Sequence, residues 1–286
     1  MNGLTYNDLF RLTLSGAIDT TFTNIVLQNT IQGIYANPDG HIYIGGGVLY
    51  NSVDRGILRL NSDGTVDDTY TVILSGGPAE GVNIFLPSST ATGAMLVLGE
   101  FSQGSYNSIA RLNADGSIDE TFTPITFSYT SQTQYVQTAY QTTDGHIYVG
   151  GQFTSVNGST ARAYLIRLNS DGTIDETFTD LGLTEPITAI CQGSDGHIYV
   201  GGYMTTSSIR LNSDGTLDNT YTSAISGVPD KMYVTADGKI YVSNLFSNPV
   251  IRLNSDGSLD NTFISIGVVG TATFYQTTDG NIYVGQ

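Results

Sequence analysis

Apolar and polar residues alternate through short runs along most of the chain, and each run stops at an Asp-Gly pair or a Ser-Asp-Gly triplet. The stretch from Thr143 to Thr179 shows the pattern best. YVQTAYQTT reads as one strand and ends at Asp144-Gly145. HIYVGGQFT follows, with Ile147 and Val149 on one face and Tyr148 on the other. YLIRLN is a third strand, closed by SDG, and TIDETF a short fourth. Period-two alternation with turn signals every roughly 8–12 residues predicts antiparallel β-structure. Gly in each turn supplies the positive φ that a tight hairpin needs.

The same unit recurs. Arg-Leu, a turn and then Asp-x-Thr-aromatic appear six times, from Arg11, Arg59, Arg111, Arg167, Arg210 and Arg252. The spacings are 48, 52, 56, 43 and 42 residues. A second marker, Asp-Gly-x-Ile-Tyr-Val-Gly, starts at Asp39, Asp144, Asp195, Asp237 and Asp279, with TGAMLVLGE from Thr92 as a degraded copy. A four-stranded repeat of roughly 40–50 residues matches a propeller blade.

The expected architecture is therefore one all-β domain over 1–286, a six-bladed β-propeller of four-stranded antiparallel blades. The blades fall at about 24–71, 72–123, 124–179, 180–222 and 223–264, with the sixth made of 265–286 plus 1–23. In this expectation the N-terminal third and fourth strands pair with the C-terminal first and second, hiding the last open sheet edges.

Composition narrows the function classes. The formal charge is −16, from 26 acidic and 10 basic side chains. Nucleic-acid binding needs a basic footprint to neutralise phosphate, and none is present. Membrane insertion is not expected, because no apolar run is long enough to span a bilayer. The lone Cys191 excludes an internal disulfide framework and reads as a small buried residue. MNGLTYNDLF lacks the basic and apolar regions of an export signal.

Together, R-L-N-x-D-G-x-[ILV]-D-x-[TS]-F and D-G-x-[IL]-x-[VI]-G-G resemble the delta-60 repeat family. The resemblance covers nearly the whole chain and implies a propeller. Members occur in bacterial surface proteins and phage virion proteins without a shared activity, so it implies no reaction. The second blade departs from the pattern, since GAMLVLGE lacks both Asp-Gly and Tyr.

Arg11, Arg59, Arg111, Arg167, Arg210 and Arg252 recur with Asp19, Asp67, Asp119, Asp175, Asp218 and Asp260. A pair repeated in every blade is structural: the planar guanidinium suits bidentate pairing and fixes a strand corner. Asn61-Ser62-Asp63-Gly64-Thr65-Val66-Asp67 spaces oxygens as calcium loops do but lacks their closing bidentate Glu. Such residues ordinarily bond their own backbone, which leaves at most weak calcium and no other cofactor.

His41, His146 and His197 share one position after the Asp-Gly turn, replaced by Lys239 and Asn281 in two other blades. They read as turn-adjacent strand residues, not metal ligands. Glu80, Glu100 and Glu185 lie off the repeat framework, and nothing pairs them as acid and base. No G-x-S-x-G nucleophile elbow is present.

Insertions that break the repeat mark the candidate binding surface. Pro124–Gln134 carries Phe127 and Tyr129, and with Tyr135 and Asn157 these are the residues expected to contact a partner. The function expected is a non-enzymatic scaffold in a phage particle, located in the virion. It would meet other virion proteins or a host receptor or glycan, and a homo-oligomer is compatible with that role. The alternatives are a secreted or surface-bound bacterial adhesin and a lyase or glycosidase acting at the central channel. The first strands offer aromatics and amides but almost no charge, which weighs against the enzyme.

Overall fold

A computed structural model describes residues 9–23, 25, 27, 31–51, 53–72, 74, 81–88, 93–128, 136–160, 162–246, 250–265, 267, 273–277 and 280–285. The chain divides into two compact units, Met1–Thr126 and Phe127–Gln286. Both are built from antiparallel strands, with no helix among the described residues.

In the first unit, β1 (Ile31–Ala36), β2 (Ile42–Gly46) and β5 (Ile57–Leu60) form one sheet. A small hairpin, β3 (Leu49–Tyr50) with β4 (Val53–Asp54), interrupts it. A second sheet follows from β6 (Val82–Pro87), β7 (Met95–Gln103) and β8 (Tyr106–Leu112).

In the second unit, β9 (Phe127–Ser128) pairs with β12 (Ser155–Val156), flanking the sheet β10 (Val136–Gln141), β11 (Ile147–Gly151) and β13 (Leu165–Leu168). Next come β14 (Ile187–Gln192), β15 (Ile198–Gly202) and β16 (Ser208–Leu211). They are followed by β17 (Pro229–Val234), β18 (Ile240–Asn244) and β19 (Ile251–Leu253), then the hairpin β20 (Thr273–Gln276) and β21 (Ile282–Gly285).

The complete sheets have three strands where four are expected. The fourth segment of each repeat makes a single bridge, as in Leu168↔Ile174 and Leu211↔Leu217. Asp175 is the reason in its repeat. Its N–H bonds back to the Arg167 carbonyl, and its Oδ1 then accepts from the Thr177 N–H at 2.9 Å and the Thr177 hydroxyl at 2.6 Å. That Asx-turn bends the chain away from the sheet after one residue of pairing.

The core lies between successive sheets. In the first unit Tyr43, Tyr70, Phe85, Val97 and Phe101 fill one such layer. In the second, Tyr148, Phe178, Ile187 and Val200 form a layer, and Cys191, Tyr199, Met232 and Val242 form the next. Burial pushes the Cys191 thiol up to about 12, so it stays a neutral packing group.

The paired glycines that end the second strands exist because a neighbouring first strand leaves no room. A Cβ on Gly45 collides with the Val82 carbonyl oxygen and comes within 2.8 Å of the Phe85 ring. Gly45→Ala is therefore expected to cost roughly 1–3 kcal/mol. Gly267, with nothing within 4 Å of a built Cβ, is the control. Thermal unfolding checks the pair: Gly267→Ala should stay within about 0.5 kcal/mol of the parent.

Candidate functional site

Two polar systems stand out, one repeated and one not. In the repeated system each Arg holds a corner. Arg167 Nε donates to Asp175 Oδ2 at 2.6 Å, its Nη2 to the Thr177 hydroxyl at 3.2 Å, and its Nη1 to the Asp214 carbonyl of the next repeat at 2.6 Å. Its guanidinium also lies 5.1 Å from the Phe178 ring centroid. Arg59 repeats the set with Asp67, the Ala114 carbonyl and the Tyr70 ring, and Arg210 with Asp218, the Ser255 carbonyl and the Tyr221 ring. Arg11, Arg111 and Arg252 likewise donate to Asp19, Asp119 and Asp260. The arginines therefore join strand to turn and repeat to repeat.

The histidines complete this framework. His146 places Nδ1 3.0 Å from Asp144 and Nε2 3.6 Å from Asp175, and His41 and His197 do the same beside Asp67 and Asp218. Lys239 substitutes directly, 3.1 Å from Asp260. Thr side chains and backbone N–H groups hold the Asp218 carboxyl down to about 2 and keep Asp19 and Asp260 below the ordinary 3.8. Burial lifts Asp67, Asp119 and Asp175, but their hydrogen bonds to Thr and Arg outweigh it and the net shift is down.

A carboxylate depressed on folding contributes stability that is complete above its unfolded value and lost as pH falls toward its folded one. Thermal unfolding is therefore expected to weaken steeply below about pH 4. A midpoint unchanged down to about pH 2 contradicts this.

The second system sits where the first strands bulge. Each register shifts by one residue near its start: between Ile31 and Gly33, Val82 and Ile84, Val136 and Thr138, Ile187 and Ala189, and Pro229 and Lys231. The extra residues are Gln32, Asn83, Gln137, Thr188 and Asp230, all polar. A bulge turns a side chain out of the regular alternation, and bulges gather beside active sites. Within the first unit Gln32 and Asn83 are adjacent, because Gly33 backs onto the Asn83 backbone. Within the second, β10 packs on β14 and β14 on β17. There the Thr188 hydroxyl donates to the Pro229 carbonyl, tying two bulges together.

Three of these side chains, those of Asn83, Gln137 and Asp230, carry an unsatisfied acceptor. Among the described residues seven buried side-chain polar atoms lack a hydrogen bond, and four of them are Asn83 Oδ1, Gln137 Oε1, Asp230 Oδ2 and Asn244 Oδ1. Asn244 is the register partner of Pro229, so it belongs to the Asp230 bulge. An unsatisfied buried group costs roughly 1–3 kcal/mol, so the Asp230 and Asn244 atoms at one bulge of the second unit call for a function. Asp230 and Asn244 are more than nine-tenths buried. Burial pushes the Asp230 carboxyl up, and the neighbouring Lys231 ammonium pulls back only in part. A carboxylate raised in this way holds a proton more tightly than an exposed aspartate, which makes it a stronger base.

The residues expected from sequence to bind a partner fall elsewhere. Phe127 is buried at 5% exposure, with its ring 4.8 Å from that of Phe153, so it packs the β9–β12 hairpin. Asn157 is exposed at a left-handed φ of 49°. Tyr129, Tyr135 and Glu80 lie outside the described residues. No group of three or more His, Cys, Asp and Glu side chains among the described residues could hold a metal.

Comparison with known families matches residues 37–70, 90–122, 142–178, 193–221 and 235–263 to a β-propeller domain of unknown function, DUF5122. The chain belongs to this family. The match bears out a propeller repeat, while the delta-60 name and the phage and surface settings are not part of it. Among curated proteins none matches the sequence.

Solved propellers resemble the fold. A virginiamycin B lyase from Staphylococcus aureus, crystallised as an inactive variant with quinupristin, is 15% identical at a TM-score of 0.64, over 96% of this chain and 83% of its own. A gluconolactonase from Xanthomonas campestris is 18% identical at 0.55, over 90% and 84%. The calcium-binding protein regucalcin from Agrobacterium tumefaciens is 14% identical at 0.50, over 85% and 76%.

Likeness at such identity shows the fold alone. It nevertheless corrects the expectation of a non-enzymatic phage scaffold, because propellers of this fold include a lactonase and a lyase. A nearly uncharged set of first strands weighed against an enzyme, yet one buried carboxylate is enough for a base. The bulge at Asp230 carries a buried carboxylate.

Proposed function

We propose that this propeller is a lyase acting at the bulged ends of its first strands, with Asp230 as the base. The observation that carries this is a single one: a more than nine-tenths buried carboxylate whose Oδ2 has no hydrogen-bond partner. Among the described residues of the first strands Asp230 is the one acidic side chain. Glycoside hydrolysis ordinarily needs two flanking carboxylates. Elimination needs one base, and that favours the lyase over the glycosidase.

In the proposed step Asp230 Oδ2 removes a proton from a carbon beside a carbonyl or carboxylate. The C–H electron pair forms a double bond to the adjacent carbon, whose C–O bond breaks. The departing oxygen takes a proton from water. Asn244, in the same bulge, orients the substrate by accepting from one of its hydroxyls. The six-blade count, supported by six Arg-Leu copies, remains part of this proposal.

The test follows the ultraviolet absorbance of the new conjugated double bond over a panel of lactones, cyclic depsipeptides and uronate oligosaccharides. Calcium is varied in the assay because one similar propeller is a calcium-binding protein. Turnover by the parent chain and its loss in Asp230→Asn are expected. Equal turnover in both proteins rules out Asp230 as the base.

A further inference from the structure

Two aromatic rings mark the same end of the second unit. Tyr203 directly follows Gly202, the register partner of Ile187, and its N–H donates to the Pro186 carbonyl at 2.9 Å. Phe246 lies two residues beyond Asn244, and the Leu245 N–H between them donates to the Val228 carbonyl at 2.9 Å. Both rings are thus anchored beside the bulges that carry Thr188 and Asp230. They meet edge to face, 6.4 Å between centroids at 64°. Phe246 is 77% exposed and Tyr203 38%. A large exposed aromatic on a short loop has little to gain from solvent, so a pair held together there presents a stacking surface.

Charge adds the second element. Of the ten basic side chains, the six repeat arginines, Arg162 and Lys239 all sit within ion-pair distance of a carboxylate. Lys231 is exposed, immediately follows Asp230, and enters none of those pairs among the described residues. Among the described residues Lys231 and Arg55 are the two basic side chains outside those pairs, and Lys231 is the one beside Asp230. The unsatisfied atoms on Asp230, on Asn244 of the same bulge and on Gln137 elsewhere in the second unit are all acceptors and so call for hydroxyl donors.

We infer that the site takes a uronic-acid-bearing oligosaccharide. Its ring C–H face packs on Tyr203 and Phe246, its carboxylate pairs with Lys231, and its hydroxyls donate to Asn244 and Gln137. The inference rests on the lyase reading for its chemistry: the carboxylate acidifies the neighbouring C–H that Asp230 takes, and the pair of electrons expels the oxygen on the next carbon.

The experiment is calorimetric titration of the full chain carrying Asp230→Asn, which holds substrate without turnover. The probes are oligogalacturonate, alginate and hyaluronan oligosaccharides, with the methyl-esterified galacturonate as the uncharged counterpart. At least one uronate probe is expected to bind, with the ester at least about tenfold weaker if the galacturonate is that probe. Lys231→Met and Phe246→Ala in the same background should each weaken binding about tenfold or more. Phe246 is exposed, so the fold of that variant is expected to be intact, and its melting midpoint confirms it.

Binding by none of the probes overturns the inference, as does binding that Lys231→Met and Phe246→Ala leave unchanged. Turnover of a non-sugar substrate without uronate binding overturns it too and leaves the lyase reading standing. Uronate binding by these residues without turnover in the parent chain does the reverse.

Discussion

Replacing Arg167 with Ala lowers stability by about 3–5 kcal/mol, on the scale of breaking a buried ion pair. The same change at Arg11 costs no more than about 1 kcal/mol. Both arginines pair with their aspartates, but the Arg167 side chain is 5% exposed and that of Arg11 is 39% exposed. Removing Arg167 strands the Asp175 carboxylate and leaves the Asp214 carbonyl without that donor. It also opens space beside the Tyr148 and Phe178 rings. Arg167→Lys keeps the charge but loses the fork that reaches three acceptors at once, so it rescues little. Chemical denaturation of the three variants checks the ordering. Equal losses at Arg11 and Arg167 contradict it.

Asp230→Asn separates stability from activity. Turnover falls by roughly 10²–10⁴, the usual share of a general base. Stability moves the other way, rising by roughly 1 kcal/mol at neutral pH, because the amide removes a charge that burial penalises. The folded carboxyl is raised above its unfolded value, so the folded state binds more protons between the two values. Its penalty is complete above the raised value and disappears as pH falls through it toward 3.8. The stability gap between parent and variant should therefore close on acidification. A variant less stable than the parent at neutral pH contradicts this account.

The repeated features were legible in the sequence because repetition marks what every blade needs. Gly145 and Gly196 take positive φ in the Asp-Gly turns, and the arginines bond the aspartates eight residues on, as their spacing implies. Hairpin and ion pair are both local, so adjacent letters determine them.

The Asp230 site is not local in that sense. Alternation along this strand begins at Lys231, so Pro229-Asp230 reads as loop, whereas β17 starts at Pro229. A bulge adds one residue and breaks period two at the place where it turns a side chain inward. The signal that could have found it is positional: lining up the five first strands that bulge puts Gln32, Asn83, Gln137, Thr188 and Asp230 in one column, with a single acid. Phe127 misled for the opposite reason. Its insertion breaks the repeat, but the pairing of Phe127 with Val156 folds the ring inward, and insertion alone does not reveal that.

The most direct test of the Asp230 reading is an NMR titration of the side-chain carboxyl carbons in aspartate-labelled protein, with Asp230→Asn identifying one resonance. The account predicts that Asp230 titrates above 3.8 while Asp67, Asp175 and Asp218 titrate below it. An Asp230 carboxyl that titrates at or below 3.8 would mean that solvent or a partner satisfies it, and the proposed base would be lost.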